Sequence, residues 1–221
     1  MDKQDFEAYA DLKRFNTKIA ETWETAFVES LSRIGKPAVD ITFLDFGCGD
    51  GKYFNHLLTK YGLTAENLHG VEVSARRIER CHEIGWLNAI LITSGAELPY
   101  PDQSFDIINM MEVIEHIPKE QGLNTIKNLR RLLRPGGILL ISTPNYPIKR
   151  FYDLYDAIFH GFRSRLFDDP THVTFFTHSR LSSLLTPHFK SIEPRRFKPG
   201  FLYKRIPVPF LEHKLFYLCQ S

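Results

Sequence analysis

Two carboxylates and an imidazole crowd into the stretch EVIEHIP (112–118), as Glu112, Glu115 and His116. They directly follow the mostly apolar run FDIINMM (105–111), which is typical of a buried strand. Side chains of these types can accept a proton or bind a divalent cation. If 112–117 form one helical turn, positions i, i+3 and i+4 share a face. The spacing predicts a chemical site at the end of a strand.

Cation binding and proton transfer are rival interpretations of this cluster, because a metal-bound nitrogen cannot also take a proton. Carboxylate oxygens favour Mg²⁺ or Mn²⁺, and Zn²⁺ becomes a candidate if a second histidine joins, such as His172 in DDPTHVTFFT. The candidate metal ligands are Glu112, Glu115, His116 and His172. The catalytic alternative is His116 as general base beside Glu115. In a third interpretation, Glu115 and His116 only brace a turn, and Glu112 faces water.

A glycine-rich stretch, LDFGCGDG (44–51), follows another apolar run and contains Gly47, Gly49 and Gly51. Glycines permit a tight turn and close approach of the backbone to a ligand. A dinucleotide fingerprint needs glycine at position 52, where this chain has Lys52, so NAD is disfavoured. Asp45 would repel a pyrophosphate but suits a ligand with ammonium and sulfonium groups. Glu72 ends the next apolar run, where an acid can accept both ribose hydroxyls of an adenosine.

These motifs sit within a regular alternation of apolar runs and helical patterns. Strands are predicted at 41–46, 68–73, 88–93, 105–110 and 137–143, with two more in the tail. Apolar strands separated by helices are typical of a parallel sheet covered on both faces. We predict a doubly wound, mostly parallel α/β sheet of about seven strands, Rossmann-like, in a single domain over 1–221. Its parts are an N-terminal helical segment (1–36), a ligand-binding core (38–145), and a substrate-side insertion with the last strands (146–221).

The composition excludes several classes of protein. Hydrophobic residues make up 43% of the 221 and charged residues 24%, which indicates a globular chain. A net charge of +2 argues against a nucleic-acid binder driven by charge alone. Three widely spaced cysteines without a CxxC motif favour a reducing, cytoplasmic location. We expect no signal peptide and no transmembrane segment, since apolar runs of about 18 residues are missing.

Four motifs occur in order: LDFGCGDG, VEVS, ELPYPDQSFDIINMMEVIEHIP and LRRLLRPGGILLISTPN. Over roughly 38–180 the chain resembles the class I S-adenosylmethionine-dependent methyltransferases. The resemblance implies that the glycine loop holds the methionine part of the cofactor, that Glu72 binds the ribose, and that 95–97 lie over the adenine. The implied cofactor residues are Asp45, Gly47, Cys48, Gly49, Gly51, Glu72, Val73, Gly95, Ala96, Glu97, Met110 and Met111. Many relatives have an Asp before LPF for the adenine amino group; here Ser94 or Glu97 is the candidate replacement.

The E-x-x-E-H pattern, with a later histidine before an aromatic–Thr pair, is similar to two branches of this family. One contains ubiquinone-biosynthesis O-methyltransferases and relatives that act on small molecules or glycans. The other contains small-RNA 3′-terminal 2′-O-methyltransferases, in which two Glu and two His bind a metal. The resemblance implies O-methylation of a hydroxyl on a small-molecule, lipid-linked or glycan substrate. The alternatives are a metal-dependent RNA 2′-O-methyltransferase and an inactive cofactor-binding subunit.

Two later segments are candidates for the substrate side. Residues 187–214 interleave basic and aromatic residues, which suits a phosphate-bearing substrate or peripheral contact with an anionic membrane. A merely solvated, basic strand pair is the alternative. Residues 150–162 predict an amphipathic helix that covers the pocket as a lid, with core packing as the alternative.

Overall fold

The computed structural model describes residues 18–146, 148–159, 171–196 and 212–221, together with Glu7 and Ala10. The strands are β1 Phe43–Phe46, β2 Leu68–Glu72, β3 Ala89–Leu91, β4 Phe105–Met111, β5 Leu133–Pro144, β6 Ser191–Pro194 and β7 Lys214–Gln220. The helices are α1 Glu21–Ile34, α2 Phe54–Tyr61, α3 Ala75–Glu83, α4 Lys119–Leu132, α5 Ile148–Phe159 and α6 His178–Leu185. Short 3₁₀ helices cover Ala38–Asp40, Ala65–Asn67 and Ile114–His116.

The seven strands form one sheet in the order β3-β2-β1-β4-β5-β7-β6. Strands β1 to β5 pair in parallel, and β7 is antiparallel to both β5 and β6. The strand order reverses between β1 and β4, which makes their carboxyl ends the topological switch point, where ligands bind in such sheets. The prediction of a mostly parallel, Rossmann-like sheet of about seven strands is confirmed.

Helices bury both faces of the sheet. Successive residues of β1 point to opposite sides, so that Phe43 joins one buried cluster and Leu44 the other. The first cluster includes Trp23, Phe27, Phe54, Leu57 and Trp86. The second includes Ile126, Leu129, Leu181 and Leu185. This two-sided burial explains why the central strands read as continuous apolar runs.

The segments outside the central sheet are described in part. The predicted amphipathic helix is confirmed as α5, Ile148–Phe159, and its role as a lid stays a prediction. Residues 160–162 lie outside the described residues. So do residues 197–211, which form most of the basic segment 187–214. Within the described ranges, no helix is both long and apolar enough to cross a membrane.

Candidate functional site

The glycine loop connects β1 to α2 and lies against the end of β2. Gly47, Gly49 and Gly51 have φ values of 78°, 56° and 77°, in the left-handed region that favours glycine. The N–H groups of Gly47 and Cys48 donate to the carbonyl of Val71 at 2.8 and 3.1 Å. These bonds hold the loop at the carboxyl end of the neighbouring strand.

Glu72, the predicted ribose-binding acid, touches this loop directly. Its Oε2 accepts a hydrogen bond from the Gly49 N–H at 2.9 Å, and its Oε1 accepts one from the Val73 N–H at 2.7 Å. The Glu72 carboxylate therefore holds the Gly49 and Val73 backbone N–H groups in place. The structure brings the glycine loop, Glu72 and Val73 together, as the motif order implied.

Asp45 lies buried beneath the loop, at 2% exposure. Its Oδ1 accepts from Asn109 Nδ2 at 2.7 Å, and Asn109 Oδ1 accepts from Trp23 Nε1 at 2.8 Å. Its Oδ2 is buried with no hydrogen-bond partner among the described residues. Burial raises the pKa of Asp45 to about 7. Because a cation nearby would favour the ionised form, Asp45 is suited to a positively charged ligand.

The remaining predicted cofactor residues are spread along this edge of the sheet. The segment 95–97 is exposed beyond β3, and the Glu97 carboxylate lies 3.6 Å from Arg131 Nη2. Cys48 is buried beside β2. The Met110 side chain is fully buried in the core, whereas Met111 keeps some exposed surface at the end of β4. Of the two methionine side chains, Met111 is the one that can reach a ligand.

EVIEHIP does not form the single helical turn considered for 112–117. Glu112 has φ 58°, in the left-handed region, and the 3₁₀ helix spans only Ile114–His116. The Glu112 carboxylate accepts from Lys214 Nζ at 2.8 Å and from Ser142 Oγ at 2.7 Å. This reversal of the backbone directs Glu112 toward β5 and β7. Among the described residues, Glu112 is not part of the group of potential ligand atoms that the other three candidates form, and metal binding by any of them stays a prediction.

Those three residues, Glu115, His116 and His172, do lie together. One potential ligand atom from each falls within 4.8 Å of the others. The two imidazole rings are 4.9 Å apart, edge to face. The N–H groups of Val173 and Thr174 donate to the Glu115 carbonyl at 2.9 and 3.0 Å. These backbone bonds bring the segment around His172 to the end of β4.

Polar neighbours fix the orientation of each side chain in this group. His116 Nδ1 lies 3.0 Å from the Thr171 carbonyl. Because a carbonyl only accepts, Nδ1 carries the proton in the neutral ring, and the lone pair is on Nε2. The Tyr146 hydroxyl lies 2.8 Å from His172 Nδ1. Such outer hydrogen bonds are the usual means by which proteins orient metal-binding histidines.

The two glutamates differ in charge. Burial raises the pKa of Glu115 well above its ordinary value, and the charge of Glu112 adds to this effect. Burial would raise the pKa of Glu112 too, but the Lys214 ammonium and the Ser142 hydroxyl hold it below its ordinary value. Glu115 Oε2 accepts from Thr143 Oγ1 at 3.0 Å, while its Oε1 is buried without a hydrogen-bond partner among the described residues. The negative charge therefore sits on Glu112, and Glu115 has an oxygen available for a cation.

Sequence reasoning missed the residues that complete both groups. They are Trp23, Asn109, Thr143, Tyr146, Thr171 and Lys214. Their contacts join residues distant in sequence, and no local pattern marks them. The one usable signal was the position of Tyr146 directly after TPN, where the sheet alternation stops.

Comparisons with known proteins identify the family of the chain. A family model described as "Methyltransferase domain" matches residues 15–187. The ubiquinone biosynthesis O-methyltransferase of Coxiella burnetii is 35% identical over 133 residues, which are 58% of this chain and 53% of that protein. The 27-O-demethylrifamycin SV methyltransferase of Amycolatopsis mediterranei is 30% identical over 105 residues, 45% of this chain and 37% of that protein. The chain thus spans only about a third to a half of these relatives' length.

The fold is also similar to that of solved methyltransferase structures. A SAM-dependent methyltransferase from Archaeoglobus fulgidus superposes with a TM-score of 0.62 at 17% identity, covering 89% of this chain and 94% of that one. At this identity the likeness concerns the fold alone. The family model, in contrast, covers more than half of the sequence. The chain therefore belongs to the class I S-adenosylmethionine-dependent methyltransferases.

Proposed function

We propose that this protein binds S-adenosylmethionine at the glycine loop and transfers its methyl group to a hydroxyl of a small-molecule, lipid-linked or glycan acceptor. One observation carries the proposal: the Glu115, His116 and His172 group lies at the end of β4, beside the β1 end that bears the glycine loop. A methyl donor and a group able to activate a hydroxyl thus share the switch point. We further propose that 1–221 act as one domain, in a reducing cytoplasm that suits the three free thiols.

The residues at the loop fit the proposed cofactor. When bound, S-adenosylmethionine supplies a sulfonium methyl group that is open to attack by an oxygen. Glu72 offers acceptor oxygens to a ribose beside Gly49, and the buried Asp45 offers negative charge to an ammonium. The other proposed contacts are Gly47, Cys48, Gly51, Val73, Gly95, Ala96, Glu97 and Met111, whereas the Met110 side chain is buried in the core. The role of the protein is to hold the acceptor oxygen about 3 Å from the methyl carbon, in line with the breaking bond.

An attacking hydroxyl must lose its proton, and the histidine group offers two ways to promote this. We propose that Glu115, His116 and His172 hold a divalent cation, Mg²⁺ or Mn²⁺, with Zn²⁺ eligible because two imidazoles are present. The unpartnered Glu115 Oε1 and the outer hydrogen bonds on both rings support this choice. When bound, such a cation would lower the pKa of an acceptor hydroxyl.

His116 as a general base, beside Glu115, is the rival within the same function. Its Nε2 lone pair would accept the hydroxyl proton directly. The proximity of His172 favours the cation, since a lone base does not require a second imidazole at 4.9 Å. The two versions differ in an observable way, because only the cation version is sensitive to a chelator.

A second candidate function is RNA 2′-O-methylation. The same glutamate and histidine residue types support it, while the net charge of +2 weighs against it. An inactive cofactor-binding subunit is the third. It would bind S-adenosylhomocysteine but methylate nothing.

The test uses S-adenosylmethionine labelled on its methyl group and a panel of phenols, lipid-linked hydroquinones, glycans and RNA 3′ ends. We expect label on a hydroxyl, loss of turnover with a chelator, and recovery with Mn²⁺ or Mg²⁺. His116→Ala should abolish turnover. His188→Ala is the control, because His188 precedes β6 at the amino ends of the parallel strands, away from the switch point. Turnover that resists the chelator but needs His116 would establish the base instead, and labelled RNA alone would establish the second function.

A further inference from the structure

Glu7 lies at the N-terminus of α3, although it comes from the N-terminal segment, 67 positions before Ser74 in the chain. Its Oε2 accepts a hydrogen bond from Ser74 Oγ at 2.8 Å, and its Oε1 accepts one from the Ala75 N–H at 2.6 Å. The Arg76 N–H also donates to Oε2, at 3.4 Å. The first N–H groups of a helix have no acceptor within it, and a carboxylate there also interacts favourably with the helix dipole. Glu7 therefore caps α3.

Glu72 takes the two N–H groups that directly precede those bound by Glu7. Its Oε1 accepts from the N–H groups of Val73 and Ser74 at 2.7 and 3.3 Å, while its Oε2 accepts from the Gly49 N–H at 2.9 Å. The N–H groups of residues 73–76 are thus divided between two carboxylates. Because Glu7 supplies the acceptor at 75 and 76, the Glu72 carboxylate stays at 73 and 74, from where its other oxygen reaches the glycine loop.

A second contact joins the N-terminal segment to the glycine loop. Ala10, three positions after Glu7, is fully buried, and its carbonyl accepts from Arg80 Nη1 of α3 at 3.1 Å. The same Nη1 lies 2.9 Å from the Oδ1 atom of Asp50, which belongs to the glycine loop. The N-terminal segment is therefore attached, at two described residues, to the elements that carry the proposed cofactor contacts. The site described above uses neither attachment.

We propose that Glu7 is a positioning residue for the cofactor: by binding the N–H groups at the start of α3, it keeps the Glu72 carboxylate directed at the glycine loop and the ribose hydroxyls. This inference rests on the proposed function, because it requires S-adenosylmethionine at the loop. Without Glu7, the N–H groups of Ala75 and Arg76 lose their acceptor. Glu72, which already binds the adjacent N–H groups, then turns toward α3 and away from the ribose. Glu7 needs no contact with the ligand, since its effect on binding passes through Glu72.

The experiment measures S-adenosylhomocysteine binding by calorimetry in the wild type, Glu7→Ala, Glu72→Ala and the double variant. Glu7→Ala should bind about 3- to 10-fold more weakly than the wild type, the equivalent of one ordinary hydrogen bond. In the Glu72→Ala background, the same substitution should change the affinity by less than about twofold, because the carboxylate that Glu7 positions is already missing. A role in stability alone would lower the melting temperature without this dependence on Glu72.

An analogue of S-adenosylhomocysteine that lacks both ribose hydroxyls gives a second readout. Its affinity should be the same in the wild type and in Glu7→Ala, since it offers Glu72 nothing to bind. Glu7→Gln, which keeps an acceptor oxygen and loses the charge, should fall between the wild type and Glu7→Ala for the complete ligand. Glu83→Ala, at an exposed acid in the last position of α3, is the matched control and should bind as the wild type does.

Melting curves verify that each variant folds, and Glu7→Gln replaces Glu7→Ala in the cycle if that variant does not. Wild-type affinity in Glu7→Ala would overturn the inference and leave Glu7 as a helix cap. Losses that simply add in the double variant would overturn it too, because Glu7 would then act independently of Glu72. A wild type that does not bind S-adenosylhomocysteine would contradict the proposed cofactor itself, which separates that failure from the failure of Glu7.

Discussion

The cofactor side and the acceptor side of the candidate site are built in different ways. The glycine loop and Glu72 belong to one β–α–β unit, and N–H groups of the loop donate to the Val71 carbonyl and to the Glu72 carboxylate inside it. The acceptor side gathers separate segments: the turn at 114–116, the end of β5, the loop at 171–174 and the start of β7. A local sequence motif can therefore predict the cofactor side. The acceptor side forms only when the tertiary fold brings distant segments together.

The two sides meet at Gly47. A Cβ atom built on Gly47 would lie 2.5 Å from Val113 Cγ2, and Val113 directly follows Glu112. Real Cβ atoms do not approach this closely, so the loop and the turn fit together only because position 47 is a glycine. A substitution at Gly47 should therefore disturb both sides of the site together.

The largest effect is expected for Gly47→Ala. A left-handed φ of 78° costs alanine about 1–2 kcal/mol, and overpacking against Val113 adds about 1–3 kcal/mol. Binding of S-adenosylhomocysteine should fall by roughly a hundredfold or more, measured by calorimetry. The double variant with Val113→Ala should recover the part due to the clash. Wild-type affinity in Gly47→Ala would show that the loop does not hold the cofactor.

Removal of the Glu72 carboxylate should affect the cofactor side alone. Glu72→Ala loses charge-assisted hydrogen bonds and should cost about 1.5–3 kcal/mol of S-adenosylhomocysteine binding. Cation binding at the other side should stay within about twofold, since separated sites act nearly independently. Glu66→Ala, an exposed acid before β2, is the control. Unchanged affinity in a folded Glu72→Ala variant would leave the carboxylate with a purely structural role.

Tyr146→Phe should affect the acceptor side alone, because it deletes the hydroxyl next to His172 Nδ1. Loss of an outer hydrogen bond on a metal ligand typically weakens metal binding by about 10- to 100-fold. Mn²⁺ affinity should fall by that amount, as followed by titration, and S-adenosylhomocysteine affinity should hold. If both fall together, the two sides are not independent.

The smallest expected effect is a pH dependence at Asp45. With a pKa of about 7, this acid is about one-tenth ionised at pH 6 and about nine-tenths at pH 8. A ligand with an ammonium group should therefore bind about tenfold more tightly at pH 8, and Asp45→Asn should remove this dependence. A flat profile in the wild type would place the ammonium away from Asp45.

The same group has a consequence for stability. Folding raises the pKa of Asp45 above its ordinary value of 3.8, so the folded state is penalised where the unfolded chain is ionised. This penalty is absent below about pH 4 and complete above about pH 7. Asp45→Asn should therefore unfold at a higher temperature than the wild type at pH 8 and at a similar temperature at acidic pH.

The same contrast explains what the sequence could predict. The strands, the glycine loop and Glu72 were predictable because apolar runs and glycines reflect local requirements. The direction of Glu112 was not, because a left-handed φ at a glutamate has no sequence signature and its ion-pair partner Lys214 lies far along the chain. The position of His172 was not either, since backbone hydrogen bonds to Glu115 place it. Tertiary contacts determine the positions of the side chains on the acceptor side, so the sequence alone could not predict them.

We have proposed that Glu115, His116 and His172 form one cation site beside the glycine loop. The most direct measurement is pulsed electron paramagnetic resonance of the protein loaded with Mn²⁺. We expect nitrogen hyperfine coupling from the imidazoles in the wild type, and its loss in the double variant His116→Ala with His172→Ala. Mn²⁺ that binds without nitrogen coupling, or coupling that survives in the double variant, would contradict it.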